Sequence, residues 1–210
     1  MLHGLNHSQQ GIPFMKTSLE ILMNEHRLIE QVLACLEKIL ERCAADGRLD
    51  GDAAREAIEF FRAFADRGHH GKEEIQLFPV LETRGMGSPC GPLAVMRREH
   101  ELGRLYVQGM DGAVEAASAG EPESVQWFLQ HGQSYIRLLR EHIGKEDHCL
   151  FPRADQSLNA EDDAALLAEY ARFEAAEFAP HAQEGHVAGA DQLADRCGVP
   201  RAAQPESVTT

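Results

Sequence analysis

The sequence lacks several things that would place it in other functional classes. No apolar run approaches the ~20 residues of a membrane span, which predicts that the chain does not cross a membrane. It is also short of positive charge: 20 Lys and Arg stand against 34 Asp and Glu, a formal net charge of −14. With no basic field to draw in a polyanion, nucleic acid and anionic membrane surfaces are poor partners. The first residues, MLHGLNHSQQG, carry neither the basic nor the apolar zone of a secretory signal. The five Cys (35, 43, 90, 149 and 197) are scattered, odd in number and free of Cys-x-x-Cys spacing. That fits reduced thiols in a cytoplasmic protein better than a disulfide framework. No stretch shows the period-2 alternation of a half-buried strand.

What is present is an eleven-residue stretch written twice. Residues 69–79 read HHGKEEIQLFP and residues 142–152 read HIGKEDHCLFP, with seven of the eleven positions identical. In each copy a His stands four residues before a Glu: His69 with Glu73, and His142 with Glu146. Residues four apart share a helix face, so imidazole and carboxylate can aim at one point. Each copy ends in Leu-Phe-Pro, read as an apolar anchor followed by a helix-stopping residue. A Glu-His pair precedes each copy, Glu25-His26 and Glu99-His100, with 43 residues from His26 to His69 and 42 from His100 to His142.

Apolar residues at helical spacing fill the rest. Thr17 or Ser18 can cap a first helix whose stripe includes Leu22, His26, Ile29 and Leu33. After the Gly47–Gly51 turn, a second helix from near Asp52 runs through His69 to about Phe78. Gly68 and Gly71 flank its His pair, where helix-destabilising glycines suggest a close approach or room for a site. TRGMGSPCGP (83–92) is the seam between the halves. A third helix spans about Leu93–Ala119, and a fourth starts near Pro122 and ends at Phe151-Pro152. Four helices with short connections predict an all-α, up-down-up-down four-helix bundle with additional C-terminal helices over 161–178 and 183–197. The expected organisation is a flexible leader at 1–16 holding His3 and His7, the bundle at 17–155, a helical extension at 156–197 and a disordered tail at 198–210.

Two similar halves packed face to face bring His26, His69, His100, His142, Glu73 and Glu146 together. Imidazole and carboxylate without thiolate suit Fe, Mn, Co or Zn, and two bridging carboxylates suit a pair of ions ~3.5–4 Å apart. Two His per ion leaves coordination positions open, unlike a purely structural site. Iron is the first expectation and manganese or zinc the second. Ferritin-like bundles use Glu-x-x-His; none of the eleven His here has a Glu three residues before it.

Glu25-His26, His69-His70-Gly71-Lys72-Glu73-Glu74 with Leu77-Phe78-Pro79, Glu99-His100, and His142-x-x-x-Glu146 with Leu150-Phe151-Pro152 resemble the hemerythrin-like HHE cation-binding family. The resemblance spans roughly 17–152. It implies a non-haem, oxo- or hydroxo-bridged pair of irons, with the four His terminal and the two Glu bridging. Oxygen-carrying hemerythrins place a second His one turn after the third-helix ligand, and here that position is Arg104. His70 is the nearest replacement, although consecutive α-helical residues point ~100° apart. Glu74 and Tyr106 are further candidates for the ligand shell or its surroundings. Glu25 and Glu99 could orient ligating His, with exposed charge as their plainer role. His131, His148, His181 and His186 read as surface or packing residues, and Cys149 as a packing thiol beside the second motif. The expected function is binding or sensing of oxygen, nitric oxide or peroxide. The alternatives are a di-iron oxidoreductase with peroxidase-like or nitric-oxide-handling activity, and non-redox metal storage.

Overall fold

The structure, a computed structural model, describes residues 15–203. His3 and His7 in the leader, and residues 204–210 of the expected tail, lie outside them. The described residues form helices and no strands. Helix α1 is Thr17–Asp46, and Gly47 ends it in the left-handed region at φ 64°. Helix α2 is a composite rod. It opens as Gly51–Phe60, capped by the Asp50 side chain on Ala53 N–H. It widens into π turns over Phe61–His70 and Glu73–Leu77 and regains α form at Phe78–Leu81. A last wide turn, Glu82–Met86, breaks at Gly85 with φ 86°. Helix α3 is Pro92–Ser118. Helix α4 begins as Pro122–Lys145, passes through a π turn at Glu146–Leu150 and continues as Phe151–Ser157. Helices α5, Ala160–Glu177, and α6, Ala182–Cys197, follow.

Two local expectations are corrected. Pro79 and Pro152 do not stop their helices. Each follows a π turn, closed by Phe78 N–H on Glu73 O and by Phe151 N–H on Glu146 O. The backbone is already out of the i→i−4 register there, so the missing proline N–H removes no regular bond. Nor do Thr17 or Ser18 cap α1. Lys16 occupies the cap position without a side-chain cap. The first orphan donors are instead met from far along the chain: Lys16 N–H donates to Asp155 Oδ1 at 2.7 Å and Ser18 N–H to Asp163 Oδ1 at 2.9 Å. Carboxylates suit a helix N-terminus because its N–H groups and dipole favour negative charge.

The four long helices pack as a ring, α1 on α2, α2 on α3, α3 on α4 and α4 on α1. Leu49 N–H donates to Ala117 O at 3.0 Å, joining the α1–α2 turn to the end of α3. Lys16 meets Asp155 at the opposite end. This is the up-down-up-down arrangement. The buried apolar residues divide into two clusters. One runs from Leu28 and Ile29 through Phe61, Val107 and Tyr135 to Ile143. The other gathers Leu19, Leu22, Leu77, Phe78, Met96, Leu150 and Phe151. His26 and His100 sit on their helices between the two, so the polar site is a layer between apolar plugs.

The C-terminal extension packs into both apolar clusters of the bundle. Leu166 and Tyr170 of α5 enter the second cluster, and Leu193, Ala194 and Cys197 of α6 enter the first. Gly71 makes room for α5, since a Cβ there would stand 2.7 Å from the Phe173 ring. Residues 198–203, expected to begin the disordered tail, are tied down by Ala202 N–H on Gln31 Oε1 and by Arg201 on Asp195. At the other end, Met15, assigned to the leader, packs against the second cluster.

Candidate metal centre

The repeated motif places its residues as its spacing requires. His26, His69, Glu73 and Glu146 each offer a ligand atom within 4.8 Å of the others, as do His70, Glu73, His100 and His142. All are buried, and Glu73 belongs to both groups. Glu146 also spans them, with Oε2 3.2 Å from His26 Nε2 and 3.3 Å from His142 Nε2. The two expected bridging carboxylates therefore lie between the two pairs of imidazoles.

A second layer fixes the rings. His26 Nδ1 faces Asp147 Oδ1 at 2.7 Å, and His69 Nδ1 faces Glu25 Oε2 at 2.9 Å. His100 Nδ1 faces Glu74 Oε1 at 2.7 Å, and His142 Nδ1 faces Glu99 Oε2 at 3.0 Å. An ionised carboxylate can only accept, so each Nδ1 carries the proton and each Nε2 presents a bare lone pair inward. Behind each carboxylate stands a cation: Arg27 on Asp147, Lys72 on Glu25, Arg104 on Glu74 and Lys145 on Glu99. Glu25 and Glu99, for which exposed charge was the plainer reading, are thus orienting groups. Asp147, Lys145 and Arg27 were not singled out from the sequence, and Lys72 was named there only as part of the motif. The aligned repeat held the signal, because Lys72 matches Lys145 and Glu74 matches Asp147. The halves also exchange aromatics: Phe151 stacks on His26 at 5.6 Å and Phe78 on His100 at 6.1 Å.

The inward atoms fit cations and fit little else. His26 Nε2 and His69 Nε2 are 3.0 Å apart, and His100 Nε2 and His142 Nε2 are 3.1 Å apart. Two bare nitrogens that close repel unless something positive lies between them. Metal–nitrogen bonds of ~2.1 Å at a right angle separate the nitrogens by ~3.0 Å. Both oxygens of Glu73 and of Glu146, and His70 Nε2, are buried without a hydrogen-bond partner. Such orphans cost about 1–3 kcal/mol each, and a ligated ion would satisfy them. Burial lowers the pKa of His26, of His69 and of His100, and holds His142 down at about 4. These rings stay neutral, as ligands must. Burial raises Glu73 and Glu146 well above the usual carboxylate range, and the charge of Glu73 raises Glu146 further. A nearby cation would reverse that shift.

Comparison with known proteins agrees with this geometry. The family model of the hemerythrin HHE cation-binding domain matches residues 17–154. The chain belongs to the hemerythrin HHE cation-binding family. It is 28% identical over 152 residues to an uncharacterised protein of Mycobacterium tuberculosis, covering 72% of this chain and 58% of that one. The same figures hold for a Mycobacterium bovis relative. The chain thus spans under two thirds of the length of these relatives. It is 37% identical over 89 residues to the iron–sulfur cluster repair protein YtfE of Yersinia pseudotuberculosis, covering 41% of this chain and 40% of that one. No solved structure matches the chain.

Among hemerythrin-type candidate ligands, His70 departs from the expectation drawn from ideal helix geometry. It lies in the donor group with His100 and His142, its ring stacked on His100 at 3.9 Å. The π turns of α2 explain this. A wider turn brings consecutive side chains closer in azimuth than the ~100° of an α-helix, so His69 and His70 both face inward. The matching residue of the second motif is Ile143, so the two donor sets differ by one imidazole. Arg104 does not face the donors. Its guanidinium grips Asp66 at 2.8 Å and Glu74 at 2.8 Å, the carboxylates behind His70 and His100. Glu74 orients His100 and lies outside both donor groups.

Tyr106 does not reach the site and packs edge-on to His131 instead. The tyrosine that does is Tyr135. With Phe61, Gly103, Val107, His70, His100 and Arg104 it lines a cavity of about 130 Å³. The other histidines stay away from the donors. His131 Nδ1 donates to Trp127 O at 2.9 Å, and His186 meets Phe64 and Phe178 edge-on. Cys149, read as a packing thiol, is exposed. No helix of the described residues is long and apolar enough to cross a membrane.

Proposed function

We propose that this hemerythrin-family protein holds two iron ions and binds a small ligand there: oxygen, nitric oxide or peroxide. The observation that carries the reading is the buried donor set of five imidazoles and two carboxylates, with its unpartnered atoms, beside a cavity of about 130 Å³. Pockets for organic substrates run to roughly 300–1,000 Å³ and a cavity of ~150 Å³ holds a benzene-sized molecule, so this one admits oxygen, nitric oxide or peroxide and shuts out larger organic substrates. Iron is preferred over manganese and zinc because the imidazole-rich N/O set suits it and the proposed ligands are redox partners. When bound, a pair of irons supplies redox chemistry and a coordination position for such a ligand.

The chain's own residues do the rest. Nδ1–H donation to Glu25, Glu74, Glu99 and Asp147 holds each ring and makes it a better donor. The apolar clusters above and below exclude water. Phe61, Val107 and Tyr135 keep the cavity wall apolar, and Arg104 with Asp66 forms its polar edge. The iron–sulfur cluster repair protein among the relatives supports a second reading, in which the site serves cluster repair. The two are separated by whether iron leaves for an acceptor protein or stays during ligand turnover.

The test is metal analysis with absorption spectra of the purified protein, before and after dithionite, oxygen, nitric oxide and peroxide. About two irons per chain and an oxo-bridge band that responds to one of these ligands are expected. A fully folded protein that takes up no iron, or spectra indifferent to all of them, would refute the reading.

A further inference from the structure

The two motif copies share sequence but not surroundings. In the first, His69 Nδ1 donates to Glu25 Oε2 at 2.9 Å, Lys72 pairs with Glu25 Oε1, and Lys72 Nζ donates to Glu174 Oε1 at 2.7 Å. Glu174 lies on α5, beyond the residues matched by the family model. In the second copy, Lys145 pairs with Glu99, and among the described residues no other carboxylate holds it. The burial of the two lysines differs accordingly: the Lys72 side chain is 2% exposed and that of Lys145 is 41% exposed. Helix α5 also brings the Tyr170 ring to 5.9 Å from Lys72 Nζ and seats Phe173 over Gly71. The mirror glycine, Gly144, has open space above it.

We infer that Glu174 is a positioning residue for His69, acting through Lys72 and Glu25, and that α5 thereby makes the two halves of the metal centre inequivalent. The inference rests on the di-metal reading above. A buried ammonium is retained where its donors are spent on fixed acceptors and is costly where they are not. Two carboxylates, one from α1 and one from α5, hold the Lys72 ammonium in one arrangement. That arrangement locks the Glu25 rotamer and, through it, the His69 ring and its Nδ1–H tautomer. With Glu174 removed, the ammonium swings, Glu25 follows it, and His69 loses its fixed partner. Groups in this outer layer typically change metal affinity 10- to 100-fold. His142 is held by Glu99 and a half-exposed lysine with no second carboxylate among the described residues, so it is indifferent to α5.

Glu174→Ala tests this, because alanine keeps the helix intact. In metal-free protein, long-range proton–nitrogen spectra report the tautomer of each imidazole. The expected result is a single Nδ1–H form of His69 in the wild type, a mixture of forms with faster proton exchange in Glu174→Ala, and His142 unchanged. Glu174→Gln, which keeps an acceptor oxygen, should recover part of the wild-type signal. In iron-loaded protein, one of the two irons should pass to a chelator about tenfold faster, with one Mössbauer doublet shifted and the other unmoved. An unaltered His69 tautomer in Glu174→Ala would overturn the inference, as would equal effects at His69 and His142. A wild type that binds no iron would refute the metal reading, while the metal-free tautomer measurement still decides the role of Glu174.

Discussion

Replacing His70 with isoleucine gives the first motif the residue that stands at the same place in the second, Ile143. The substitution separates a ligand from a packing residue by the sign of two effects. In metal-free protein His70 Nε2 is buried with no partner, a penalty of about 1–3 kcal/mol. Its other nitrogen has a long contact of 3.4 Å to Asp66, and Asp66 keeps Arg104 when His70 is gone. Isoleucine fills much the same space with no polar atom. The metal-free variant should therefore gain about 1–2 kcal/mol. For a domain of this size that is a melting temperature higher by roughly 2–8 °C. In iron-loaded protein the order reverses: one of three imidazoles near one ion is lost, so that ion should pass to a chelator tenfold faster or more. Calorimetry on metal-free and loaded samples, with chelator competition, reads both. A metal-free variant destabilised by more than about 1 kcal/mol would show that His70 is a satisfied core residue, and unchanged iron release would show that it is no ligand.

The pH response of metal-free protein follows from the buried groups. His26, His69, His100 and His142 have folded pKa values below their unfolded ones. The unfolded chain thus binds more protons below pH ~6.5, and stability falls as pH drops. Glu73 and Glu146 are raised and act in the opposite sense. Buried Glu25 is raised as well, so four imidazoles against three carboxylates leave a net loss of roughly 1 kcal/mol per pH unit between about pH 6.5 and 4.5. Urea midpoints that stay flat or rise on acidification would contradict the assignment of neutral imidazoles. Arg104→Ala should cost no more than about 1 kcal/mol of stability, because the arginine side chain is 39% exposed. It should still loosen iron about tenfold, by freeing the carboxylates behind His70 and His100; unchanged chelator kinetics would refute that role. Gly144→Ala should stabilise by about 0.5–1 kcal/mol. Gly71→Ala should lose that gain or reverse it, because its Cβ meets Phe173. Equal denaturation midpoints for the two would show that α5 does not press on α2.

The bundle was legible because its signals are local and repeat. Apolar spacing gave the rods, the Gly and Pro clusters gave the turns, and the duplicated motif gave the pairing of halves. Two kinds of feature escaped. The α1 cap depends on Asp155 and Asp163, which are far from it in sequence, so no local reading of Thr17 or Ser18 could find it. The packing of α5 depends on Phe173 meeting Gly71. The sequence flagged that glycine as a close approach without saying to what.

The site shows where an ideal-helix ruler stops working. Ligands four residues apart were found because His69 with Glu73 and His142 with Glu146 share a face in either helix form. His70 was underrated because an α-helix turns ~100° per residue, and Pro79 was read as a stop because an α-helix cannot hold it. Both errors have one cause, the π turns of α2. Widening the helix costs hydrogen-bond geometry, and such turns gather at functional sites. Here the wide turns bring a second imidazole inward and let the rod continue past the proline, so that Phe78 can stack on His100. Pro79, nine residues past His70 in an otherwise helical, apolar stretch, was therefore the trace in the sequence of a widened turn, and the doubled histidine upstream the trace of an extra inward-facing donor.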